Sequence, residues 1–339
     1  EPNSYGPSDI TAASFALGMR SLALWPEMVS ALHARTGIDV GYRTEGTLIP
    51  AFDEDEARGL FEAFETQRSM GAAVAWLTGD EARAIEAALS PDICAAISAP
   101  HDVQVDPERF TAALGRAFVA DGGQVIEGVG VSRIANQDET TRLIVLDDGS
   151  TLAAPVVVLA AGHHSSRIEI DGDLALPIVP VKGEMIALSH PSGRAPVRSV
   201  IRARDAYVVP RGRGRIVVGA TTLPGHDDLE VSDRARQTLT AGAVRAVPSL
   251  HEAAIERAWA GVRPGTVDGL PIIGPSTVDG VVVATGHYRN GILWAPASAD
   301  LISGYVATGE IPELMSPFLP RRFAGSRSMD SAGGVRHAV

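Results

Sequence analysis

Residues 286–293, with the sequence GHYRNGIL, combine two glycines with an arginine and an asparagine. They follow a predicted strand over 281–284 and precede an apolar stretch that predicts a helix. A strand, a glycine-containing loop and a helix start direct free backbone N–H groups towards an anionic or electron-rich ligand. We interpret the segment as a ligand-binding loop. The alternative is a plain connection in which Asn290 caps the helix.

A second segment, residues 259–274, has the sequence WAGVRPGTVDGLPIIG and places Arg263 between a predicted strand and a Pro-Gly turn. A guanidinium in such a position can bind a small carboxylate through two N–H groups. The alternative is a surface turn with a solvated arginine. The residue types alone do not decide between the two.

Residues 156–162, VVVLAAG, form a continuous apolar run that ends in small residues. The pattern predicts a strand buried on both faces of a parallel or mixed sheet. Small residues at its end would let a ligand approach the backbone closely. Taken alone, the run fits an ordinary core strand better than a ligand site.

Other kinds of site lack their motifs. His163 and His164 are adjacent, so on an extended chain their side chains would point in opposite directions, and we predict no metal site. The sequence has no Gly-x-Ser-x-Gly nucleophile turn and no Walker loop, since Lys182 does not precede Ser or Thr. No complete Gly-x-Gly-x-x-Gly fingerprint occurs in the printed chain.

The elements that would position these residues are read from hydrophobic periodicity and from turn residues. Asp106-Pro107 predicts a helix start and Asp147–Ser150, DDGS, a hairpin turn. Helices are predicted over 8–34, 53–69, 79–88, 106–120, 231–246 and 290–306. Strands are predicted over 124–127, 129–135, 141–146, 156–162, 177–190, 199–209, 215–221, 255–262 and 280–285. This order predicts a mixed α/β fold with two interleaved domains.

The composition limits the class of protein. The chain has 339 residues and a formal net charge of −12, which disfavours nucleic acid and anionic membranes as partners. No apolar run has the length of a membrane helix. Because Cys94 is the single cysteine and no signal peptide is visible, we expect a reducing, cytoplasmic location.

Several segments together resemble the glycine oxidases of thiamine biosynthesis, a branch of the D-amino-acid-oxidase-like flavoproteins. The resemblance covers residues 10–308 in order. It is carried by PVKGE at 180–184, YVVPR at 207–211, VVGAT at 217–221, WAGVRPGTVDGLP at 259–271 and ATGHYRNGILWAP at 284–296, with GTL at 46–48 and QVDP at 104–107 in the same alignment.

The resemblance implies a Rossmann-like FAD-binding domain interleaved with an antiparallel-sheet substrate domain. The FAD domain would comprise residues 1–36, 104–172 and 260–313, and the substrate domain residues 37–103 and 173–259, with a disordered tail over 314–339. The implied reaction is hydride transfer from the amine-bearing carbon of glycine or another small amino acid to flavin N5. It gives an imine and, through O₂, H₂O₂. Thiazole synthase as recipient of the imine and a homo-oligomer are further expectations.

Site residues follow from the resemblance, position by position. Arg263 matches the arginine that binds the substrate carboxylate, and Tyr207 matches a tyrosine whose hydroxyl reaches the same group. Arg289 matches an arginine near flavin and substrate, and Thr222 stands where some relatives carry Met over the substrate. No acid–base residue is implied, since hydride leaves directly from the neutral amine. The implied cofactor contacts are Val131, Gly162, Gly286, His287, Tyr288, Arg289, Asn290, Gly291, Ile292 and Leu293.

The sequence departs from the family pattern at its front. Members begin with a strand, a Gly-x-Gly-x-x-Gly turn and a helix that hold the FAD pyrophosphate, and the printed chain starts after that unit. A chain that truly began at Glu1 is expected to bind FAD weakly or not at all and to expose a sheet edge. Stoichiometric flavin retention after gel filtration would contradict this expectation.

Two other functions stay open at this stage. One is a flavin-free, non-catalytic remnant or scaffold. The other is a related flavin amino-acid dehydrogenase that passes electrons to a carrier instead of O₂.

Overall fold

The computed structural model describes residues 12–172 and 174–324, which form a mixed α/β structure. The α-helices are α1 (Ala12–Thr36), α2 (Glu54–Ser69), α3 (Gly79–Ile85), α4 (Pro107–Ala120), α5 (Asp233–Ala246) and α6 (Gly291–Thr308). Short 3₁₀ helices cover Gly162–Arg167, Pro248–Glu252, Tyr288–Asn290, Glu313–Phe318 and Pro320–Phe323.

The strands in chain order are β1 (Thr47–Ala51), β2 (Ala75–Thr78), β3 (Ala95–Ala99), β4 (Val131–Asn136), β5 (Arg142–Leu146), β6 (Thr151–Ala154), β7 (Val157–Leu159), β8 (Glu169–Ile170), β9 (Ile178–Ser189), β10 (Val200–Arg202), β11 (Tyr207–Pro210), β12 (Arg215–Gly219), β13 (Leu223–Pro224), β14 (Ala254–Thr266), β15 (Ile272–Pro275) and β16 (Val281–Thr285).

Helix starts are fixed by short polar side chains, as the sequence predicted for α4. The Asp106 carboxylate accepts hydrogen bonds from the backbone N–H groups of Glu108 and Arg109, and Pro107 occupies the first turn. Ser232 caps α5 in the same way, through a bond from the backbone N–H of Ala235. These caps satisfy donors that have no carbonyl partner inside the helix.

The chain divides into two compact units, which we name by their sheets. Among the described residues, the large-sheet unit comprises 12–15, 25–125 and 181–262. The small-sheet unit comprises 16–24, 126–172, 174–180 and 263–324. This division groups residues 104–125 with the large sheet, whereas the sequence-based division grouped them with the FAD domain. The assignment of a function to each domain stays a prediction.

The large-sheet unit is built on a nine-stranded sheet with the order β13-β9-β12-β11-β10-β1-β3-β2, and β14 also pairs with β9. The neighbours β9, β12, β11 and β10 are antiparallel, whereas β1 runs parallel to β10. Helix α5 packs against β11 and β12, and α2 and α3 pack against β3. The core between them is fully buried, with Ile186, Leu188, Ile201, Val208 and Ile216 at 0% exposure.

The small-sheet unit contains two smaller sheets. One has the order β15-β16-β7, in which β7 runs parallel to β16. The other has the order β6-β5-β4-β8, with the predicted turn at 147–150 joining β5 to β6. Helix α6 packs against β15 and β16. The loop at 286–293 therefore leaves β16 and enters a helix that returns onto the same sheet.

The structure corrects the prediction for residues 156–162. Only Val157–Leu159 forms a strand, and Val156 and Val158 are 39% and 44% exposed. Gly162 begins a 3₁₀ helix instead of ending the strand. The apolar run was therefore a correct signal for a parallel strand but a wrong signal for burial on both faces.

Three further predictions are wrong. Residues 124–127 form no strand and belong to none of the three sheets, and Val125 and Ile126 are exposed. The segment predicted as one strand over 199–209 is two strands, β10 and β11, separated by a turn. The predicted tail is ordered over 314–324, where Met315 and Phe318 are fully buried. Residues 325–339, and residues 8–11 of the first predicted helix, lie outside the described residues.

Among residues 12–172 and 174–324, no helix combines the length with the hydropathy that crossing a bilayer requires.

Candidate active site

Segment 286–293 leaves β16 at Gly286 and enters α6 at Gly291. Gly286 has φ +75°, and a Cβ on it would lie 2.5 Å from Thr266 Cγ2, so only glycine fits there. A short 3₁₀ helix, Tyr288–Asn290, then leads into α6. The chain reverses within a few residues, and it thereby places the start of α6 directly after the sheet.

The first turn of α6 offers both polar and apolar contacts. Its first backbone N–H groups have no carbonyl partner within the helix, and the Asn290 side chain does not cap them. Ile292 and Leu293 are 37% and 38% exposed on a helix whose next residues are buried. A partial positive charge beside an exposed apolar surface suits a flat ring that can gain negative charge.

Gly162 is joined to this segment by a buried threonine. Thr285, the last residue of β16, donates its hydroxyl to the Gly162 carbonyl at 2.9 Å and accepts a bond from the Ser165 hydroxyl at 3.1 Å. Thr285 is 1% exposed and Ser165 is fully buried. Gly162 has φ +57°, and nothing lies within 4 Å of the position that a Cβ would take. The backbone at Gly162 is therefore fixed from one side and open on the other.

Val131 begins β4 and is half-buried against the core of the same unit. It packs against a cluster of buried residues that includes Ile134, Leu159 and Val281. The pairing of β4 with β5 is irregular between Val131 and Arg133, so the ladder is interrupted beside Val131. An interrupted ladder leaves backbone groups available for a ligand.

His287 is held neutral by its surroundings. Burial lowers the pKa of its imidazole from 6.5 to about 4. One ring nitrogen lies 3.0 Å from the hydroxyl of Ser298, which is 5% exposed in the second turn of α6. This contact joins the loop to the helix that follows it.

Arg263 and Arg289 both lie in the small-sheet unit. Arg263 is half-buried inside β14, which continues through Pro264 and Gly265 to Thr266. The predicted position between a strand and a turn is therefore wrong, because this strand carries the Pro-Gly pair within it. Arg289 is half-buried, and its guanidinium carbon lies 5.4 Å from the centre of the Tyr288 ring.

Tyr207 lies in the large-sheet unit, at the start of β11, where it pairs with Gly219 of β12. A Cβ on Gly219 would lie 2.4 Å from the Tyr207 hydroxyl and 2.5 Å from Cζ. The ring therefore lies across the glycine, and its hydroxyl is 3.7 Å from Met185 Sδ. A larger residue at position 219 would displace the ring.

Thr222 is half-buried in the same unit. It directly follows Thr221, which hydrogen-bonds to the buried carboxylate of Glu184. Thr221 donates its hydroxyl to Glu184 Oε2 at 3.1 Å and its backbone N–H to the Glu184 carbonyl at 3.2 Å. Glu184, 2% exposed, also accepts the backbone N–H of Ser232 at 2.7 Å. The position of Thr222 thus depends on Glu184.

The paired histidines differ from the prediction in geometry. His163 and His164 lie in a 3₁₀ helix, and their ring centres are 3.9 Å apart, so the side chains do not point in opposite directions. Within the described residues, no three His, Cys, Asp or Glu side chains are grouped as metal ligands would be. A groove of about 860 Å³ in the small-sheet unit contains none of the predicted site residues; it is lined by residues of 136–142, 171–172 and 277–279.

The structure therefore brings together all the predicted cofactor contacts in one unit. Thr285 connects Gly162 to the segment at 286–293, and Arg263 belongs to the same unit. Tyr207 and Thr222 belong to the large-sheet unit, where the Gly219 contact and Glu184 position them.

A profile of the family described as FAD dependent oxidoreductase matches residues 3–304. The chain belongs to this family. It is 35% identical to a glycine oxidase of Geobacillus kaustophilus over 91% of the chain and 82% of that protein. It is also 35% identical to a bifunctional protein ThiO/ThiG of Synechocystis over 88% of the chain, which spans 43% of that longer protein. The crystal structure of the Geobacillus glycine oxidase superposes with a TM-score of 0.84, at 33% identity, over 91% of this chain and 82% of that one.

The family assignment makes this protein an FAD-dependent oxidoreductase of the glycine oxidase type. The described residues fit FAD at two places. The exposed apolar side chains of Ile292 and Leu293, in the first turn of α6, fit the isoalloxazine ring. The open side of Gly162 fits a ligand that contacts the backbone.

Sequence reasoning missed three residues that position the site: Thr285, Glu184 and Gly219. Thr285 and Glu184 act through hydrogen bonds to residues that are distant in the sequence, and no local sequence pattern predicts such bonds. The signal that could have found Gly219 is a glycine within a strand, which often marks the close approach of another group.

Proposed function

We propose that the protein oxidises glycine and other small amino acids to the corresponding imines, with O₂ as the electron acceptor and H₂O₂ as the second product. The observation that carries the proposal is the similarity to a glycine oxidase along 91% of the chain. The half-buried Arg263 supports it, since a substrate with a carboxylate needs a fixed cation.

Bound FAD would supply the two-electron oxidation chemistry that no side chain can perform. The protein's part is to bind and orient. Arg263 holds the substrate carboxylate, and Tyr207, Arg289 and Thr222 keep the substrate-binding roles that the resemblance implies. The amine proton is lost to solvent before oxidation, so the site needs no dedicated base.

The cofactor contacts are assigned within the small-sheet unit. The backbone of 286–293 would hold the isoalloxazine ring, and the start of α6 would favour negative charge beside it. Gly162 and Val131 contact the adenosine half. A neutral His287 adds no charge of its own to this surface at physiological pH.

The imine product points to a further proposal. A small imine hydrolyses in water, so an enzyme that uses it gains from receiving it directly. A relative of this chain is a bifunctional protein ThiO/ThiG. The match covers 43% of that protein, so the matching segment shares a polypeptide with a further segment. We infer that the reaction serves the thiazole part of thiamine, with thiazole synthase as the recipient.

The test compares two substrates of equal size. Arg263→Ala should lower kcat/KM for glycine about 10- to 150-fold, the equivalent of a charge-assisted bond of about 1.5–3 kcal/mol. The kcat/KM for glycinamide, which lacks the carboxylate, should change little in Arg263→Ala. Arg257→Ala is the matched control, because Arg257 is an exposed arginine of β14 that pairs with Glu108. Equal losses for both substrates would show that Arg263 does not bind the carboxylate.

The electron acceptor needs its own measurement. H₂O₂ release in step with glycine consumption supports the oxidase. Turnover with an artificial acceptor and none with O₂ would support the dehydrogenase, and a protein that never retains flavin would support the scaffold.

A further inference from the structure

Helix α6 carries a proline where its hydrogen-bond ladder should be continuous. Pro296 has no backbone N–H, so it cannot donate to the carbonyl of Ile292 one turn earlier, and its ring crowds that carbonyl. The interruption falls directly after Ile292 and Leu293, at the end of the segment assigned to the flavin. The first turn of α6 therefore needs support from outside the helix.

Ser21 of α1 supplies a hydroxyl at this point. Its Oγ donates to the Leu293 carbonyl and accepts the backbone N–H of Ala297 at 3.3 Å. In an uninterrupted α-helix, Ala297 N–H would donate to the Leu293 carbonyl, four residues earlier. The serine hydroxyl thus bridges the two groups that the ladder would pair, and its side chain is completely buried.

The middle of α1 is held against α6 at neighbouring positions too. A Cβ on Gly18 would be in van der Waals contact with Leu293 and Trp294, at 3.8 and 3.7 Å. Arg20 pairs with Asp300 at 2.8 Å. The close approach at Gly18 and the Arg20–Asp300 ion pair place this part of α1 beside the first turns of α6, where Ser21 lies.

We propose that Ser21 is a positioning residue for the flavin: by bridging Leu293 and Ala297 it holds the first turn of α6 and its N–H groups in place. The inference rests on the assignment of 286–293 to the isoalloxazine ring in the proposed function. Without the hydroxyl, the first turn loses its anchor, and the positive end of the helix no longer faces the ring in one fixed orientation.

The experiment uses the FAD-loaded protein and its reduction potential, which needs no amino-acid substrate. Ser21→Ala should shift the midpoint potential of the flavin to a more negative value and change its visible spectrum. Flavin reduction at saturating glycine should slow about two- to fivefold, the change that a helix-dipole contribution corresponds to. Ser303→Ala is the control, because it removes a hydroxyl that donates to the Asp300 carbonyl on the same helix.

Pro296→Ala provides the decisive background. It returns an N–H that can donate to the Ile292 carbonyl and removes the ring that crowds this carbonyl, so the first turn gains a bond of its own. Ser21→Ala should therefore have little effect on the potential in that background. If Ser21→Ala does not fold alone, the double variant should fold. An unchanged potential, or an equal effect of Ser21→Ala in both backgrounds, would overturn the proposal. A shifted potential without glycine turnover would support the role of Ser21 while the proposed substrate fails.

Discussion

The two units position their functional residues by different means. In the large-sheet unit, Tyr207 belongs to β11, which pairs with β10 on one side and β12 on the other. Core side chains of this unit, such as Val208, are fully buried. In the small-sheet unit, residues 286–293 form a loop and the start of a helix. Single hydroxyl groups, those of Thr285 and Ser21, hydrogen-bond to Gly162 and Leu293 and hold this region in place. A residue in a sheet is held in position by many hydrogen bonds, whereas a residue in a loop is held by a few.

This contrast predicts how substitutions should divide. Changes in the large-sheet unit should lower the free energy of unfolding first, because packing and positioning are the same contacts there. Changes in the small-sheet unit should alter the cofactor first. The four substitutions below run from the largest expected effect on stability to the smallest.

The buried carboxylate of Glu184 is the first. Glu184→Ala leaves the backbone N–H of Ser232 and the hydroxyl of Thr221 without their acceptor, so it should lower the free energy of unfolding by about 3 kcal/mol. Chemical denaturation measures this loss. Glu230→Ala, at an exposed position of the same unit, should unfold at the wild-type denaturant concentration. Equal midpoints for both variants would contradict the role of Glu184.

The contact of Tyr207 with Gly219 is the second. Gly219→Ala places a methyl group where the phenol lies, so it should cost roughly 1–3 kcal/mol and raise the KM for glycine. Gly261→Ala is the matched control, since nothing lies within 4 Å of a Cβ on that strand glycine. The same stability and the same KM for glycine in both variants would contradict the positioning of Tyr207 by Gly219.

The hydroxyl of Thr285 is the third, and it tests the loop side of the comparison. Thr285→Val removes the bonds to Gly162 and Ser165, which should cost about 2 kcal/mol and weaken FAD retention more than Gly219→Ala does. Thr308→Val removes an exposed hydroxyl bond to the Gly304 carbonyl and is the control. Full FAD retention in Thr285→Val would break the comparison.

The pH dependence set by His287 is the smallest. Because its pKa is lowered to about 4, the unfolded chain binds a proton below pH 6.5 that the folded protein does not bind. Stability should therefore fall as the pH decreases from 7 to 5, and this residue should account for roughly 1–2 kcal/mol of the fall. His287→Gln should flatten the curve, whereas His251→Gln, at an exposed position, should leave it unchanged. A wild-type slope in His287→Gln would contradict the assignment.

Local signals in the sequence predicted most of the elements. Asp106-Pro107 marked the start of α4 and 147–150 the turn after β5, because capping and turn chemistry act over a few residues. The run at 156–162 misled, since apolar residues predict a strand but not which of its faces is covered. The strand that continues past Arg263 misled for a similar reason: Pro-Gly is a turn signal unless the surrounding sheet overrides it.

The residues that position the site were beyond local reasoning. The hydrogen bond between Ser21 and Leu293 joins residues 272 positions apart in the sequence, and that between Ser165 and Thr285 joins residues 120 positions apart. Pro296 inside an apolar stretch indicates a weakened first turn of α6, but it does not indicate that Ser21 contacts the Leu293 carbonyl in that turn. Only the fold supplies that contact.

The central claim is tested most directly by an anaerobic titration of the purified, FAD-loaded protein with glycine. One equivalent of glycine should remove the visible absorption of the oxidised flavin, and O₂ should restore it with release of one equivalent of H₂O₂. An oxidised flavin that persists at saturating glycine, in protein whose flavin dithionite reduces normally, would contradict it.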